Sequence, residues 1–435
     1  MRWKTAEYAG WGRALRATGE LARPERLSSL TALMASEPAP AIGNCRSYGD
    51  ACLNNGGRAV QMLRLDRIMG FDAVTGVATV EAGMQLGELA RIFAPRGWLP
   101  AVMPGTGFAT VGGAIAHDVH GKNHHVAGSF GQHVRAITLV GVDGVARRIT
   151  PADDLFRATV GGLGQTGVIA NAEVQMLKCK GDVIVVTERR IGGWDEFLGY
   201  LDASDASYTV GWIDATATGA DLGCGILEEA ETGSGLVTQP GRAKSVPFDA
   251  PGFALAPAVV RAFNGAYYRR VPENGRTVVK PIQEFFFPLD RIRDWNRLYG
   301  KEGFHQFQCV VPVEQAPALR AMLGRIAKSG LASPLAVLKR MGPGRAGMMS
   351  FPMEGYTLAV DFPNRARATR LIGELEGDTL AAEGRIYLAK DSLAKGSAVR
   401  AMYPEQPAWA QMVRDVDPGG VLATDLIRRL DLRNV

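Results

Sequence analysis

The sequence lacks the features that would place the protein in several common classes. No stretch approaches the about 20 consecutive apolar residues that span a bilayer. The opening MRWKTAEYAGWGRALR has no apolar signal-peptide core, so we expect a cytoplasmic protein. Lysine and arginine exceed aspartate and glutamate by only five among 435 residues, without basic runs, which argues against nucleic-acid binding. So mild an excess suits an anionic small molecule or peripheral contact with an acidic inner-membrane surface.

Cysteine is scarce as well. The five cysteines are odd in number, scattered along the chain and without metal-ligand spacing, which indicates reduced thiols and no structural zinc. Composition is otherwise that of a soluble globular protein, with 46% apolar and 21% charged residues. A chain of this length exceeds the size at which one hydrophobic core keeps growing, so two domains are expected.

The first 180 residues contain no dinucleotide fingerprint of the Rossmann type, because no G-x-G-x-x-G lies between a strand and a helix with an acidic residue about twenty positions further on. Strands are predicted at AVQML, VATVEAG and AITLVGV from their β-branched alternation. A helix is predicted at MQLGELARIFAPRG, ending at a proline-glycine stop. The predicted fold class of this part is α+β, with glycine turns between the elements.

The pattern of predicted strands and helices changes after residue 181. Strand-like segments (VIVVTERRI, SYTVGWIDA, HQFQCVVPV and GYTLAVDFP) alternate with amphipathic helical stretches such as QAPALRAMLGRIAKSG, which predicts an antiparallel sheet backed by helices. Residues 229–260 are rich in Gly, Pro and Ala and lack periodicity, so a long mobile loop is expected there. The last fifty residues return to a dense mixed pattern and are expected to pack back on the first domain.

One segment concentrates groups that can carry chemistry. Five of the six histidines fall within residues 117–133, inside the stretch PGTGFATVGGAIAHDVHGKNHHVAGSFGQHV, which also contains seven glycines. Glycine lets the backbone approach a ligand closely, and histidine supplies hydrogen bonds near neutral pH. We interpret the stretch as a cofactor cradle. Two alternatives are a plain glycine-rich loop and a zinc site, the latter formed by His117, His120, His124 and His125 with Asp118 as the nearest acidic partner.

Several motifs together resemble the flavoprotein oxidases of the vanillyl-alcohol-oxidase type, with a PCMH-type FAD-binding domain. They are CRSYGD (45–50), the glycine- and histidine-rich 104–131, TVGGLGQTGVI (159–169), YTVGWIDA (208–215), VLKRMGPG (337–344), GYTLAVDFP (355–363) and GRIYLAKDS (384–392). The similarity extends nearly from end to end. Within the family, the sequence is most similar to members whose substrate is a polyprenylphosphoryl ribose.

The resemblance implies two domains and a bound FAD. The FAD-binding domain would comprise residues 1–180, completed by 385–435, and the substrate domain residues 181–384. Family positions imply that FAD contacts Ile42, Gly43, Asn44, Cys45, Arg46, Ser47, Tyr48, Gly49, Asp50, Gly105, Thr110, Val111, Gly112, Gly113, His117, Asp118, Val119, His120, Ile169 and Tyr387. Arg46 fills the place of one common histidine attachment site, so FAD is expected to be non-covalent.

The resemblance also implies a reaction. A hydride would leave the 2′-carbinol carbon of a polyprenylphosphoryl-β-D-ribose for the flavin, giving a keto sugar that a separate NAD(P)H-dependent reductase converts to the arabinose epimer used in cell-wall arabinan synthesis. Lys390, Tyr48 and His120 are the expected catalytic residues. The expected substrate contacts are Lys339, Gln306, Gln308, Trp212, Ala359 and Lys390.

Other functions are compatible with the residues taken alone. One is an aldonolactone or alditol oxidase that acts on soluble sugars, and another is a metal- or sugar-binding protein without redox activity. The chain also departs from the family pattern at single positions. Asn44 and Cys45 stand where relatives favour small residues or glycine, and Ala359 stands where some relatives have cysteine.

Overall fold

The computed structural model describes residues 2–235 and 243–434. Its first 180 residues contain two sheets. A small mixed sheet holds β1 (Lys4–Ala9), β2 (Arg16–Ala22), β3 (Ala41–Ile42) and β4 (Arg58–Gln61). The second sheet is antiparallel and holds β5 (Ile68–Asp72), β6 (Val77–Glu81), β7 (Trp98–Pro100), β8 (Val134–Val140), β9 (Ala146–Ile149) and β10 (Val168–Lys178).

Five α-helices cover these sheets: α1 (Leu27–Ser36), α2 (Leu86–Phe93), α3 (Val111–Ala116), α4 (His124–Ala127) and α5 (Asp154–Thr159). Period-two burial along β10 directs alternate side chains into the core between sheet and helices. The same core receives Leu86, Leu89 and Phe93 from α2 and Val111 and Ile115 from α3. Thr110 caps α3, since its hydroxyl accepts a hydrogen bond from the N–H of Gly113.

The second half is organised around one large antiparallel sheet. Its order is β15-β11-β13-β12-β18-β19-β17-β20. The strands are β11 (Val183–Ile191), β12 (Tyr208–Ile213), β13 (Gly225–Gly233), β15 (Arg276–Pro281), β17 (Phe304–Val311), β18 (Ala336–Met341), β19 (Gly355–Pro363) and β20 (Arg385–Ile386), while β14 (Lys244–Ser245) pairs with β16 (Ile292–Arg293) outside it. β17 is buried at all eight positions, so both of its faces are covered by other parts of the protein.

Helices pack against this sheet and continue to the C-terminus. They are α6 (Trp194–Ala203), α7 (Pro257–Arg269), α8 (Ile282–Phe286), α9 (Ala316–Ser329), α10 (Ala366–Ala381), α11 (Gly396–Met402), α12 (Gln406–Val416) and α13 (Asp425–Leu430). α9 begins with a proline in its first turn and ends at Gly330, whose φ of 66° is left-handed. No helix in the described ranges is long and apolar enough to cross a membrane.

The α+β class and the antiparallel sheet backed by helices are confirmed. Two details differ from the expectation. Regular structure extends into the predicted 229–260 loop from both ends, because β13 continues to Gly233 and α7 begins at Pro257. Residues 236–242 lie outside the described ranges, and the mobility of the loop stays a prediction. The C-terminal part also joins the large sheet, since β20 pairs with β17.

One buried charge cluster ties the two halves together. The guanidinium of Arg429 in α13 donates two hydrogen bonds of 2.7 and 2.8 Å to Asp50 and one of 2.8 Å to Asp391. Both carboxylate side chains are only 5% exposed. Burial raises the pKa of Asp50, and the hydrogen bonds from Arg429 oppose that rise. Arg429 therefore holds the end of the 44–50 segment against the segment after β20.

We predict that Arg429→Met lowers the free energy of unfolding by ~3–5 kcal/mol, because two buried carboxylates lose their cation. Denaturation in urea with saturating FAD measures the change. The matched control is Arg325→Met, whose ion pairs with Glu374 and Asp378 lie at the surface. That variant should lose less than ~1 kcal/mol. Equal losses in the two variants would contradict the role of the buried cluster.

Candidate functional site

A cavity of about 710 Å³ lies between the two halves of the molecule. Its volume is within the ordinary range for small-molecule and cofactor sites. One wall comes from the loop after β3 and from residues 103–122, which include α3. The opposite wall comes from one face of the large sheet and from the turn after β20. The histidine- and glycine-rich stretch singled out by sequence thus lines a cavity to which both halves of the chain contribute.

Most of the predicted site residues line this cavity. They are Ile42, Gly43, Asn44, Cys45, Arg46, Ser47, Tyr48, Gly105, Thr110, Gly112, Gly113, His117, Val119, His120, Ile169, Trp212, Gln306, Gln308, Lys339, Ala359, Tyr387 and Lys390. Four others face away from it, namely Gly49, Asp50, Val111 and Asp118. Val111 is fully buried in the domain core, and Asp50 is paired with Arg429.

Asp118 supports the site from behind. Its carboxylate accepts hydrogen bonds from the N–H of Gly131 at 2.8 Å, the N–H of Ala346 at 3.0 Å and the hydroxyl of Ser350 at 2.6 Å. The side chain is fully buried and the residue has a left-handed φ of 40°. Asp118 therefore fixes the histidine-rich stretch to the segment between β18 and β19, a role that a sequence motif could not distinguish from cofactor contact.

The loop after β3 presents free backbone donors to the cavity. Within the described residues, the N–H groups of Asn44, Cys45, Arg46 and Ser47 donate to no other backbone group. Cys45 has a left-handed φ of 50°, which turns the chain sharply. A left-handed residue among right-handed or extended ones forms a concave nest of N–H groups suited to phosphate oxygens. These donors fit the pyrophosphate of FAD.

Gly112 and Gly113 line the cavity, but their N–H groups do not belong to this set of free donors. The N–H of Gly112 donates to the carbonyl of Ala82 at 2.8 Å, and that of Gly113 donates to the Thr110 hydroxyl at 3.2 Å. Both N–H groups are therefore occupied. Glycine is needed at position 112 for close packing, because a Cβ there would lie 3.0 Å from the Cβ of Ala82.

Arg46 brings a positive charge to the same wall. Its guanidinium lies over the rings of Trp11 at 4.1 Å and Phe108 at 4.6 Å, and its Nε is buried without a hydrogen-bond partner. Among the described residues no carboxylate forms an ion pair with it. Desolvation lowers its pKa, an effect that Asp290 opposes from a distance. An enclosed guanidinium without an acidic partner fits an anionic ligand such as a pyrophosphate.

The histidines near the cavity are neutral. Burial and the charge of Lys390 lower the pKa of His117 to about 4. Burial and the charges of Lys339, His124 and Lys390 hold the pKa of His120 well below its usual range. The Nε2 of His120 lies 3.1 Å from the amide nitrogen of Gln308, so this nitrogen accepts and Nδ1 carries the proton in the assigned network.

The histidine cluster does not converge on one point. The Nδ1 of His124 accepts a hydrogen bond from the N–H of Gly342, and the Nε2 of His125 donates to the carbonyl of Ala206. In the described part of the chain, no group of three or more His, Cys, Asp or Glu side chains is arranged to hold a metal ion. The cofactor-cradle interpretation of the stretch is the one that this geometry supports.

Strand register explains why the predicted substrate residues share one wall. Gln308 of β17 pairs with Ala359 of β19, which pairs with Val337 of β18, and Val337 pairs with Trp212 of β12. Residues directly opposite across a sheet project to the same face. The four side chains therefore form one row across the sheet, directed into the cavity.

Lys390 occupies the turn that follows β20. Its ammonium lies 3.4 Å from the centre of the Tyr48 ring, and the N–H of Tyr48 donates to the carbonyl of Ala389. Desolvation and the charge of Lys339 lower the pKa of Lys390 to about 7, against the opposing charge of Asp361. Desolvation keeps the phenol of Tyr48 protonated by raising its pKa well above the usual value.

Two buried charged side chains in or next to the cavity were missed by sequence reasoning. Asp361 is fully buried, accepts hydrogen bonds from Gln306 and Tyr299, and has a pKa that burial raises to about 7. Lys122 lines the cavity, and burial lowers its pKa to about 8. Asp361 lies two positions beyond Ala359 and so on the same face of β19. Because β19 is buried on both faces, no alternation in its sequence singles Asp361 out. Lys122 lies inside the HGKNHH string itself.

Comparison with known proteins agrees with this geometry. Residues 22–150 match a family model described as an FAD binding domain. The chain is 37% identical to a decaprenylphosphoryl-β-D-ribose oxidase of Mycolicibacterium smegmatis, in an alignment that covers 98% of each chain. It is 32% identical to an uncharacterised protein of Streptomyces coelicolor over 80% of this chain and 100% of the other.

A shorter match, 27% identical over 31% of this chain, connects it to a D-lactate dehydrogenase of Anaerostipes hadrus.

The FAD-binding family model and the full-length similarity confirm the expected cofactor and enzyme class. The features of the structure that fit FAD are the free donors of the 44–47 loop, Arg46 and the enclosed cavity. The chain belongs to the family of FAD-dependent oxidoreductases that includes the decaprenylphosphoryl-β-D-ribose oxidase.

Proposed function

We propose that the protein oxidises the 2′-hydroxyl of a polyprenylphosphoryl-β-D-ribose to the 2′-keto sugar. The observation that carries the proposal is the presence of three lysines in the cavity: Lys339 and Lys390 on the wall of the large sheet, and Lys122 at the end of the histidine-rich stretch on the other wall. Desolvation lowers the pKa of each of them. Cations that have lost much of their hydration bind an anionic substrate strongly. A neutral soluble sugar would not need them.

Lys339 and Lys390 have different roles in this proposal. Lys339 lies beside Thr357 in the pairing of β18 with β19, and its ammonium suits a phosphate as a compact point charge. Lys390 contacts Tyr48 next to the FAD-binding loop, so its charge lies where negative charge develops during oxidation. FAD, when bound, supplies the acceptor for the hydride removed from the carbinol carbon. Gln306, Gln308 and Trp212 orient the sugar from the sheet.

The hydroxyl proton needs an acceptor. His120 is neutral, but its Nε2 is already hydrogen-bonded to Gln308, and Tyr48 is protonated. The neutral amine of Lys390 and the carboxylate of Asp361 have pKa values near 7 and are better matched to proton transfer at neutral pH. We therefore assign proton acceptance to the Lys390–Asp361 pair, with Tyr48 and His120 as hydrogen-bonding partners.

The keto product of this reaction is an intermediate of epimerisation. Reduction of the 2′-ketone from the opposite face gives the arabinose epimer, and this step requires an external hydride donor such as NAD(P)H. We propose that a separate reductase supplies it. An alditol or aldonolactone oxidase would release its product without such a partner.

The substrate carries a long apolar chain, and the cavity has an apolar approach. Tyr267 of α7 lines the cavity beside Trp212, with ring centres 4.7 Å apart. On the outer side, Phe263 stacks on Tyr267 and is 52% exposed, while Phe253 is 72% exposed. Arg261 lies exposed on the same helix. We propose that this surface, formed by Phe253, Arg261 and Phe263, contacts an anionic membrane. Val260 of the same helix is buried and does not belong to this surface.

The first prediction from the proposed function is that FAD binds non-covalently. Arg46 cannot form the flavin–histidine bond, and His117 and His120 are the nearby imidazoles. Acid precipitation of the purified protein should leave the yellow flavin in the supernatant. A pellet that retains its colour after washing would show a covalent bond.

The second prediction concerns Lys390→Met, which keeps most of the side-chain length and removes the charge. The variant should fold and bind FAD, but reduce its flavin ~10²–10³-fold more slowly with the substrate, as is typical for the loss of one stabilising charge. The pKa of Lys390 lies near 7 instead of its ordinary 10.5, so its ammonium is lost as pH rises through about 7. The variant should lose the contribution of Lys390 to the pH dependence of flavin reduction, and the remaining profile should move to higher pH, because the charge of Lys390 lowers the pKa of Asp361.

Anaerobic stopped-flow absorbance measures both quantities. A panel of ribosides with and without a phosphoryl-prenyl group tests the substrate class in the same experiment. Lys328→Met serves as the control, because Lys328 lies at the exposed end of α9. Wild-type rates in Lys390→Met would remove Lys390 from the mechanism. Equal reduction by phosphate-free sugars would favour the soluble-sugar oxidase instead.

The third prediction tests the membrane surface. Replacing Phe253 and Phe263 with serine should weaken co-sedimentation with phosphatidylglycerol vesicles by at least ~tenfold, because the apolar area inserted into the interface is lost. The replacement should leave reduction by a water-soluble substrate analogue unchanged. Val74→Ser is the control, since Val74 is 90% exposed on the other domain. Equal vesicle binding by all three proteins would exclude this surface.

A further inference from the structure

Two cysteines in the wall of the FAD cavity form a pair that the proposed reaction does not use. Cys45 and Cys52 both line the cavity, and Cys45 packs against the small apolar cluster that contains Cys52. Each thiol lies close enough to the other to shift its pKa. Both cysteines are free, Cys52 being buried and Cys45 partly accessible. The other three cysteines lie outside this cavity wall.

The two thiols have different environments. The hydrogen bond from Cys52 and the charge of Arg46 lower the pKa of Cys45, against the effect of burial. The pKa of Cys52 is raised well above its usual value by the same hydrogen bond and by burial. Burial also raises the pKa of Cys179, Cys224 and Cys309. Because the thiolate is the nucleophile, Cys45 is the reactive member of the set.

We propose that Cys45 and Cys52 are a peroxide-sensitive modification site that closes into a disulfide. The sulfur of Cys45 attacks hydrogen peroxide, an O–O bond breaks, and water leaves while Cys45 becomes a sulfenic acid. The thiol of Cys52 then attacks that sulfur, forming the S–S bond and releasing a second water. Two thiols lose two electrons and two protons in total, and one peroxide is reduced to two waters.

The position of the pair gives the modification a consequence. The disulfide would tie Cys45, inside the segment Asn44 to Ser47 whose free N–H groups form the phosphate nest, to Cys52 beyond the end of that segment. The segment is already fixed at Tyr48 by its hydrogen bond to Ala389. Oxidation would therefore cross-link the part of the protein that holds FAD. The inference does not depend on which alcohol is the substrate.

Trypsin separates the two cysteines, because Arg46 lies between them: Cys45 falls in the peptide 27–46 and Cys52 in the peptide 47–58. The FAD-loaded protein is treated with equimolar hydrogen peroxide, alkylated, digested and examined by mass spectrometry without reductant. We expect these two peptides to be cross-linked, and the link to disappear after reduction. Cross-linking should exceed oxidation of Cys179, Cys224 and Cys309 at least ~tenfold.

Single variants identify the attacking sulfur. Cys52→Ser should accumulate a sulfenic acid on Cys45 that dimedone traps, whereas Cys45→Ser should leave Cys52 unmodified. Cys309→Ser is the matched control and should cross-link like the wild type. Absence of the cross-link in wild-type protein, or dimedone labelling on Cys52 instead of Cys45, would overturn the proposal. Thermal unfolding of each variant verifies that it is folded.

Discussion

The site depends on positive charge enclosed without enough negative charge to balance it. Arg46, Lys122, Lys339 and Lys390 line the cavity, while Glu228 is the carboxylate nearest Lys122 and Asp361 the one that acts on Lys390. Removing a cation from water without a partner is costly, and proteins respond by lowering lysine pKa values. All three lysines show that shift. Two bound anions, the pyrophosphate of FAD and a substrate phosphate, would restore the balance. The cavity is thus completed by its ligands.

Such a site needs rigid walls, because like charges confined together would otherwise push the structure open. The large sheet supplies one wall through its register, which sets Gln308, Ala359, Val337 and Trp212 in a single row. The other wall is held from behind. Asp118 fixes the histidine-rich stretch to Ala346 and Ser350 across the domain boundary, and Arg429 fixes Asp50 to Asp391. Hydrogen bonds of the buried groups Asp118 and Arg429, which lie outside the cavity, therefore hold this wall in place.

Sequence patterns predicted the elements better than their roles. VIVVTERRI and GYTLAVDFP coincide with β11 and β19. Along β11, period-two alternation records which face is buried, whereas β19 is buried on both faces. The glycines and histidines located the cradle, but the sequence did not show which of its backbone N–H groups would be free to bind a ligand. Whether an N–H is free depends on partners distant in sequence, such as Ala82 for Gly112. Asp361 and Lys122 were overlooked for a related reason, since an isolated charge on a strand or in a loop gives no sign that its surroundings are desolvated.

The histidines show how burial changes the meaning of a residue type. A histidine-rich segment suggests proton transfer near pH 7, yet His117 and His124 have pKa values near 4 because they are desolvated beside lysines. A neutral imidazole can still donate from one nitrogen and accept at the other, so it can orient neighbours without adding charge to an already cationic cavity. The pKa values of Lys339 and Lys390 fall from 10.5 to about 7. These two lysines therefore titrate in the range in which histidine normally titrates. Desolvation therefore moves the site's proton chemistry from the imidazoles, which the sequence displays together, to lysines that only the folded chain brings together.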